Sequence, residues 1–568
     1  GNGMLQSRHI RLKAAFNHLH IFLDPEPDPE RSHAERERLF AMPRSSWTDY
    51  APELISAGGG VFERSEKLIR LTPEIRAMLN IKDAALTPDE LIRAMLRMPC
   101  DLLWNGGIGT YVKASVESHA EVGDRSSDSV RVNAKELRCR VVGEGGNLAV
   151  TQLARIEFAL HGGRINTDFI DNSAGVDCSD REVNIKILLN QVGDQRPLTP
   201  ARREKLLVGM TDEVAGLVLR NNYLQTQAIS LMEAHAAERI REHAWLIRLL
   251  EKSGTLDREL EFLPGEEDIE ERRKAGRGLT RPELAVLMSF SKIALYADMI
   301  RSSVPEDDYL AKELVSYFPA PLQRRYRSLE GFSPLLKVGE LIETGSGGRQ
   351  QNDSCQLFAL SCQFRTPTLV DFLVPHRIAC RAPHCLIESA RNFIRNRITQ
   401  LSCESSCRLP YEISFCDTGE VRLQRFNSAL FCKASGNPVD GIKTRQGGRD
   451  RLGIGRLGII DEQHAFSIAR EVFDIRSLWR DIEALDNKVH ANIQYSMMLQ
   501  TQRLIKHATQ WLLDRRDLIG DIAAAVQRFH KGAARLAASI EEILRGHERI
   551  RYEEARDLYA ETGVPCLL

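Results

Sequence analysis

An α/β unit built on a parallel sheet, followed by an all-α region, is the fold class that the sequence predicts. Three observations predict it. Over residues 1–190 short apolar runs alternate with helical patterns, as parallel strands joined by crossover helices do. From about 196 to 327 the apolar period is helical throughout and strand signals vanish. From about 465 to 560 long amphipathic helices return, with a break near Asp517–Gly520.

The strand candidates are His20–Asp24, Asp101–Trp104, Arg140–Val142 and Arg164–Thr167. Between the last two, Leu153, Ile156 and Leu160 recur at i, i+3 and i+7, so that connection reads as a helix packed on the sheet. Residues 58–72 read as a small inserted hairpin, and Pro25–Pro29 as a stiff loop that cannot continue a strand. In the helical region Thr280-Arg281-Pro282-Glu283 is a start signal. Thr280 caps, Pro282 sits in the first turn, and Glu283 closes a capping box. The charged run 266–274 reads as a solvated helix or loop. No internal repeat is present.

Composition narrows the class of protein. At about 150 residues per domain, 568 residues suggest roughly three or four domains. Hydrophobic residues at 43% and charged residues at 27% can build large buried cores. Lys+Arg 77 against Asp+Glu 78 leaves a formal charge of −1, which argues against a nucleic-acid partner with its phosphates. No run approaches the roughly 18 apolar residues of a spanning helix, and no signal peptide opens the chain. The expectation is a soluble, cytoplasmic protein without a membrane partner. Leu5 stands where a myristoylation signal needs Ser or Thr, and Cys566 is third rather than fourth from the end, so neither lipid signal is complete. A chain opening on Gly1 reads as a fragment.

Glycine-rich loops carry the chemistry. Gly1-Asn2-Gly3 precedes a helix-like stretch, and some twenty residues later a strand ends in Asp24. That order matches the second half of a Rossmann-like dinucleotide fold, N-terminally incomplete. Glycines let backbone N–H groups approach a pyrophosphate, and an acid at the next strand tip accepts ribose hydroxyls and repels a 2′-phosphate, favouring NAD. Asn105-Gly106-Gly107, Gly143–Asn147 and Asp171–Val176 then follow consecutive strands. Three such loops at the C-terminal ends of parallel strands mark a ligand crevice. Asn105, Asn147 and Asn172 supply donors and acceptors for a carboxamide or ribose.

The motifs GNGML…HIFLDP, DLLWNGGIGTYVK, VVGEGGN, RINTDFIDNSAGVDCSDREVN and GRGLTRPELAVL resemble the large, bacterial-type NAD-specific glutamate dehydrogenases. The resemblance covers about 1–327 and 465–560. GEGGN is similar to the EGAN loop of glutamate dehydrogenases, and Asn172–Val176 to their NAGGV loop. Ser179 falls where the family places a serine on the substrate carboxylate. The resemblance implies oxidative deamination of L-glutamate to 2-oxoglutarate and ammonium, with hydride passing to NAD, in a homo-oligomer. It also implies that the catalytic lysine and aspartate belong to a substrate domain before Gly1, so the fragment alone is expected to be inactive. The alternative is an inactive helical scaffold with a vestigial nucleotide fold.

The expected domains are a partial NAD-binding domain at 1–195, a helical domain at 196–330, an aberrant segment at 331–462 and a helical domain at 463–568. After Tyr317–Leu322 the resemblance lapses, and eight cysteines (Cys355, Cys362, Cys380, Cys385, Cys403, Cys407, Cys416 and Cys432) gather in the aberrant segment. A frame-shifted or mis-spliced stretch, disordered and without a packed core, is the reading adopted; an inserted module is the alternative. Zinc would need two close ligand pairs, and Cys403/Cys407 and Cys380/Cys385 with His376 and His384 fit that spacing poorly. No metal is expected.

Overall fold

The computed structural model describes residues 7–107, 109–193, 198–300, 315–325, 411–415, 421–425, 462–486, 488–514 and 522–560. These fall into two compact units. The pair of strands between 411 and 425 lies in the second, and all other described residues lie in the first.

The first strands form an antiparallel sheet, β1 (Ala14–Phe16), β2 (His20–Leu23) and β3 (Gly60–Glu63), in the order β1-β2-β3. This corrects the expectation that His20–Asp24 joins the parallel sheet. Only Asn17–Leu19 separate β1 from β2, and a connection that short makes a hairpin, since a parallel pair needs a crossover of a dozen residues or so. The Asn17 carboxamide closes the turn by accepting from the N–H groups of Leu19 and His20, both at 2.8 Å. Strand β2 is buried on both faces. Ile21 and Leu23 enter the main core, while Phe22 stacks on Trp47 at 4.8 Å beside Tyr50. After it, α1 (Pro29–Ala41) starts on an Asp28 cap with Pro29 in the first turn, so the proline-rich loop turns the chain into a helix.

Residues 58–72 do not form the expected hairpin. Their first part, β3, pairs with β2; their second, β4 (Ile69–Arg70), pairs with β5 (Ala85–Leu86). Each half finds a longer-range partner that buries more than a local turn would. Helices α2 (Pro73–Leu79), α3 (Pro88–Leu96) and α4 (His119–Val122) follow in the intervening chain.

The parallel sheet contains β6 (Cys100–Asn105), β9 (Cys139–Glu144) and β10 (Arg164–Ile165), in the order β10-β9-β6. A small parallel ladder of β7 (Val112–Lys113) and β8 (Val132–Asn133) lies between β6 and β9 in the chain. Helix α5 (Gln152–Leu160) makes the crossover from β9 to β10. Its buried stripe is Ala154, Arg155, Ile156 and Phe158, whereas Leu160 is 44% exposed. The expected stripe therefore holds at Leu153, which packs against the main core, and at Ile156, and fails at Leu160 in the last turn of the helix.

From β10 to Arg325 the described elements are helices. The elements are α6 (Asp168–Asp171), α7 (Ser173–Gly193), α8 (Pro200–Val208), α9 (Thr211–Ala234), α10 (Ile240–Lys252), α11 (Glu266–Lys274), α12 (Arg281–Ile300) and α13 (Ala320–Arg325). Their core gathers Ile229, Ile247, Leu284 and Leu287, all fully buried. The cap of α12 is as expected: Glu283 accepts from the Thr280 N–H at 2.7 Å. It also takes two hydrogen bonds from Arg272, at 2.7 and 2.9 Å, which tie α11 to α12. Five further helices follow: α14 (Glu462–Val472), α15 (Ile475–Glu483), α16 (Ala491–Leu513), α17 (Ile522–Ile543) and α18 (Gly546–Tyr559). In α15, Ile475, Leu478, Trp479 and Ile482 bury one face at i, i+3, i+4 and i+7. Arg220 on α9 forks onto Glu483 at 2.5 and 2.8 Å, and Tyr223 donates to Asp486 at 2.7 Å.

In the second unit β11 (Tyr411–Phe415) pairs antiparallel with β12 (Val421–Arg425). Tyr411, Ile413 and Phe415 oppose Arg425, Leu423 and Val421 in register, a period-two pattern in a stretch where no element was expected. The eight cysteines between Cys355 and Cys432, with His376 and His384, lie outside the described residues. Among the described residues, no helix is long and apolar enough to cross a membrane.

His243 on α10 is 3% exposed, and its Nδ1 has no hydrogen-bond partner. Burial, reinforced by the nearby Arg239 charge, pushes its pKa down to about 4. The unfolded chain, with an ordinary histidine near 6.5, therefore binds more protons between those values. Stability is complete above about pH 6.5 and falls toward pH 4, by up to about 3 kcal/mol from this one site. Urea unfolding across that range should show a steeper acid loss for the wild type than for His243→Leu. Parallel curves would refute the assignment.

Candidate functional site

The loops after β6 and β9 are in direct contact. The Asn105 carbonyl accepts from the N–H groups of Gly145 and Gly146, at 2.7 and 3.1 Å. Its carboxamide Oδ1 accepts from the Gly107 N–H at 3.3 Å. A Cβ on Gly146 would stand 2.2 Å from the Gly107 carbonyl oxygen, so the backbones can approach this closely only without a side chain. A Cβ on Gly143 would fall 2.5 Å from the Trp104 ring. The third segment joins through its side chain: Asn172 Nδ2 donates to Asn147 Oδ1 at 2.8 Å. Asn105, Gly107, Asn147 and Asn172 thus meet at one end of the parallel sheet, with Gly106 in the same loop.

Beneath these loops lies a buried ionic cluster. Arg155 on α5 forks onto Glu144 at the end of β9, at 2.7 and 2.9 Å, and reaches Asp168 on α6 at 3.2 Å. Glu144 is fully buried and also accepts from the Val150 N–H at 3.1 Å. Asp168 accepts from the N–H of Leu148 at 2.8 Å, holding the far end of the glycine loop. Burial opposes the Arg155 charge, but the two carboxylates outweigh it and raise its pKa. Asp171 accepts from the Glu144 N–H at 2.9 Å and from Asn166 Nδ2 at 2.8 Å. Burial nevertheless pushes its carboxyl above the usual carboxylate range.

Asp171 faces a cavity of about 780 Å³, which Trp104, Gly143, Asn166, Arg281 and Tyr495 also line. Arg281, first residue of α12, spans its wall. Its guanidinium donates to Asn166 Oδ1 at 3.1 Å, to Ser230 Oγ at 3.1 Å and to Glu233 at 2.6 Å. The strand ends at Trp104, Gly143 and Asn166 and the helical region therefore share one cleft.

Other predicted residues lie elsewhere. Gly1, Asn2 and Gly3 are outside the described residues. Asp24 is not an exposed strand tip: it is fully buried, and Ser56 donates to its Oδ1 from both backbone N–H and hydroxyl. Strand β2 is the return arm of a hairpin, so Asp24 stands beside Lys13 at the end opposite the turn, its N–H donating to the Lys13 carbonyl at 2.7 Å. Ser179 is exposed on α7. Asp171–Val176 is not a loop, because α6 ends at Asp171 and α7 begins at Ser173 with only Asn172 between.

Residues 1–232 match the family profile described as bacterial NAD-glutamate dehydrogenase, catalytic domain. Residues 276–330 and 449–568 match that described as glutamate dehydrogenase, C-terminal. The chain belongs to the bacterial NAD-glutamate dehydrogenase family. It is 42% identical over 568 residues to the NAD-specific glutamate dehydrogenase of Pseudomonas aeruginosa, and 42% identical over 565 residues to that of Halomonas elongata. To the protein of the same name from Mycobacterium tuberculosis it is 38% identical over 571 residues. Each alignment takes in the whole of this chain and 29% of the relative, so the chain spans less than a third of their length.

Sequence reasoning overlooked the supporting residues of this site: Arg155, Asp168, Asn166 and Arg281. A signal for Arg155 was present, since it stands among Leu153, Ala154, Ile156 and Phe158 on a helix that packs on a sheet. A charge in such a place needs a buried counter-charge. Glu144→Gln should destabilise the fold by about 3 kcal/mol in urea unfolding, because it strands part of the Arg155 charge. Replacing Arg164, which is exposed, should change stability by less than about 0.5 kcal/mol.

Proposed function

We propose that this chain forms the nucleotide-binding part and the C-terminal helical part of an enzyme that oxidatively deaminates L-glutamate to 2-oxoglutarate and ammonium with NAD. The observation that carries the reading is the meeting of the β6 and β9 loops with Asn172 at one end of a parallel sheet, in a chain of this family. Open α/β sheets bind ligands there, and a Rossmann-like arrangement is the reading of the sheet that fits.

The residues present suit a dinucleotide. The absence of a Cβ at Gly146 lets its backbone lie against that of Gly107, and a Cβ on Gly107 would meet open space, so both leave peptide groups bare at the loop surface. The Asn147–Asn172 hydrogen bond uses one oxygen and one amide nitrogen. Asn147 Nδ2 is left to donate and Asn172 Oδ1 to accept, the complement of a carboxamide or a ribose hydroxyl. When bound, NAD supplies the hydride acceptor. Asn105, Gly106, Gly107, Asn147 and Asn172 orient it in this proposal. The ionic cluster holds their loops in place. Ser179 is proposed to meet a substrate carboxylate, a role that rests on the motif alone.

Saturation-transfer NMR on the 568-residue chain tests the cofactor site even where affinity is low. Millimolar NAD should receive saturation at its adenine and nicotinamide protons. Asn147→Asp, which replaces the amide donor by a charge, should weaken binding about tenfold, the worth of one hydrogen bond or so. No transfer to NAD, or equal transfer in wild type and Asn147→Asp, would overturn the assignment.

A further inference from the structure

Two thiols face one another at the end of the sheet away from the loops. Cys100 is the first residue of β6, Cys139 the first of β9, and the two are register partners in the parallel ladder. Registered neighbours on adjacent strands have Cα atoms about 4.8 Å apart and point their side chains to the same face. That separation lies within the roughly 4.4–6.8 Å that a disulfide spans. Both cysteines are free, Cys100 half-buried and Cys139 buried. Cys139 lines a second cavity, of about 680 Å³, together with Lys135, Arg140 and Arg164. Cys100, the more exposed of the pair, is the thiol open to a small oxidant, and the nearby Lys13 favours its thiolate against the opposing charge of Asp101. Each cysteine also begins its strand, where the backbone can adjust to bring the sulfurs together.

We propose that Cys100 and Cys139 are a redox modification site, closing reversibly to a disulfide that staples β6 to β9. The oxidant is a small-molecule disulfide such as oxidised glutathione. The Cys100 thiolate attacks one of its sulfurs, forming a mixed disulfide and releasing one glutathione thiolate, which takes up a proton. The Cys139 thiolate then attacks the Cys100 sulfur and releases the second glutathione. Two protein thiols are oxidised, and one small disulfide is reduced to two thiols. The order follows the environments. The hydrogen bond from Cys139 draws the Cys100 pKa down. Cys139 is raised, first by Cys100 and then by burial, and the first of these causes goes once Cys100 is in the mixed disulfide. The staple would join strands whose far ends carry Asn105–Gly107 and Glu144–Asn147.

The test treats the full chain with oxidised glutathione, blocks the remaining thiols with an alkylating agent and digests with a Glu-specific protease. Peptide 91–117 joined to peptide 137–144 is the expected species in mass spectrometry, lost when dithiothreitol precedes alkylation. Cys139→Ser should stop at glutathione on Cys100. In the wild type three outcomes would overturn the proposal: a mixed disulfide that persists on Cys100, linkage of either residue to another cysteine, or no oxidation at the pair. The wild-type measurement stands whether or not the variant folds.

Discussion

The buried contact of Arg155 with Glu144 and Asp168 is the constraint on which the rest of the site depends. It joins the end of a central strand, the crossover helix and the first turn after β10, three pieces of chain that converge only in the folded protein. Burying such charges is expensive, and an apolar substitute could be as stable. What the cluster adds is position. Its carboxylates also accept from the backbone N–H groups of Leu148 and Val150, so the chain leaving the glycine loop is held in place. A flexible Gly-Gly-Asn sequence becomes a defined surface in this way, without bulky side chains that would occupy the cleft.

The same logic extends outward through Arg281. Its guanidinium touches Asn166 beside the sheet and both Ser230 and Glu233 on α9, so the helical region is built into the wall of the cleft. Helix α9 is in turn locked to the C-terminal helices through Arg220–Glu483 and Tyr223–Asp486. Residues more than two hundred positions apart thereby bear on one cavity.

Much of this was legible in the sequence. The strand candidates 101–104, 140–142 and 164–167 correspond to β6, β9 and β10 within a residue or two at each end, and the helical change of period and the α12 helix start also follow from local patterns; that Asn105, Asn147 and Asn172 sit near one another follows from the three strands lying parallel side by side. The errors share a cause. His20–Leu23 was placed in the wrong sheet because a strand pattern carries no partner, and pairing was decided by the three-residue turn before it. Residues 58–72 were given a local hairpin although each half pairs with a more distant strand. Asp24 has the right residue type after a strand, yet that strand belongs to a separate antiparallel sheet, where Asp24 is buried against Ser56. Asn172 was read in a loop, but the acidic first turn of α6 and the start of α7 at Ser173 leave it a single linking residue.

By itself the sequence determined the strands of the parallel sheet and the helical regions on either side of the aberrant segment, where glycine permits close backbone approach, and which family the motifs resemble. These are local properties, set by side-chain period, turn chemistry and short motifs. Only the tertiary structure decided strand partners, the burial of Asp24 against Ser56, the pairing of Arg155 with two acids and the juxtaposition of Cys100 with Cys139. Each of these depends on residues distant in the chain. Their contact energy exists only after other elements have packed, and no window of sequence contains it.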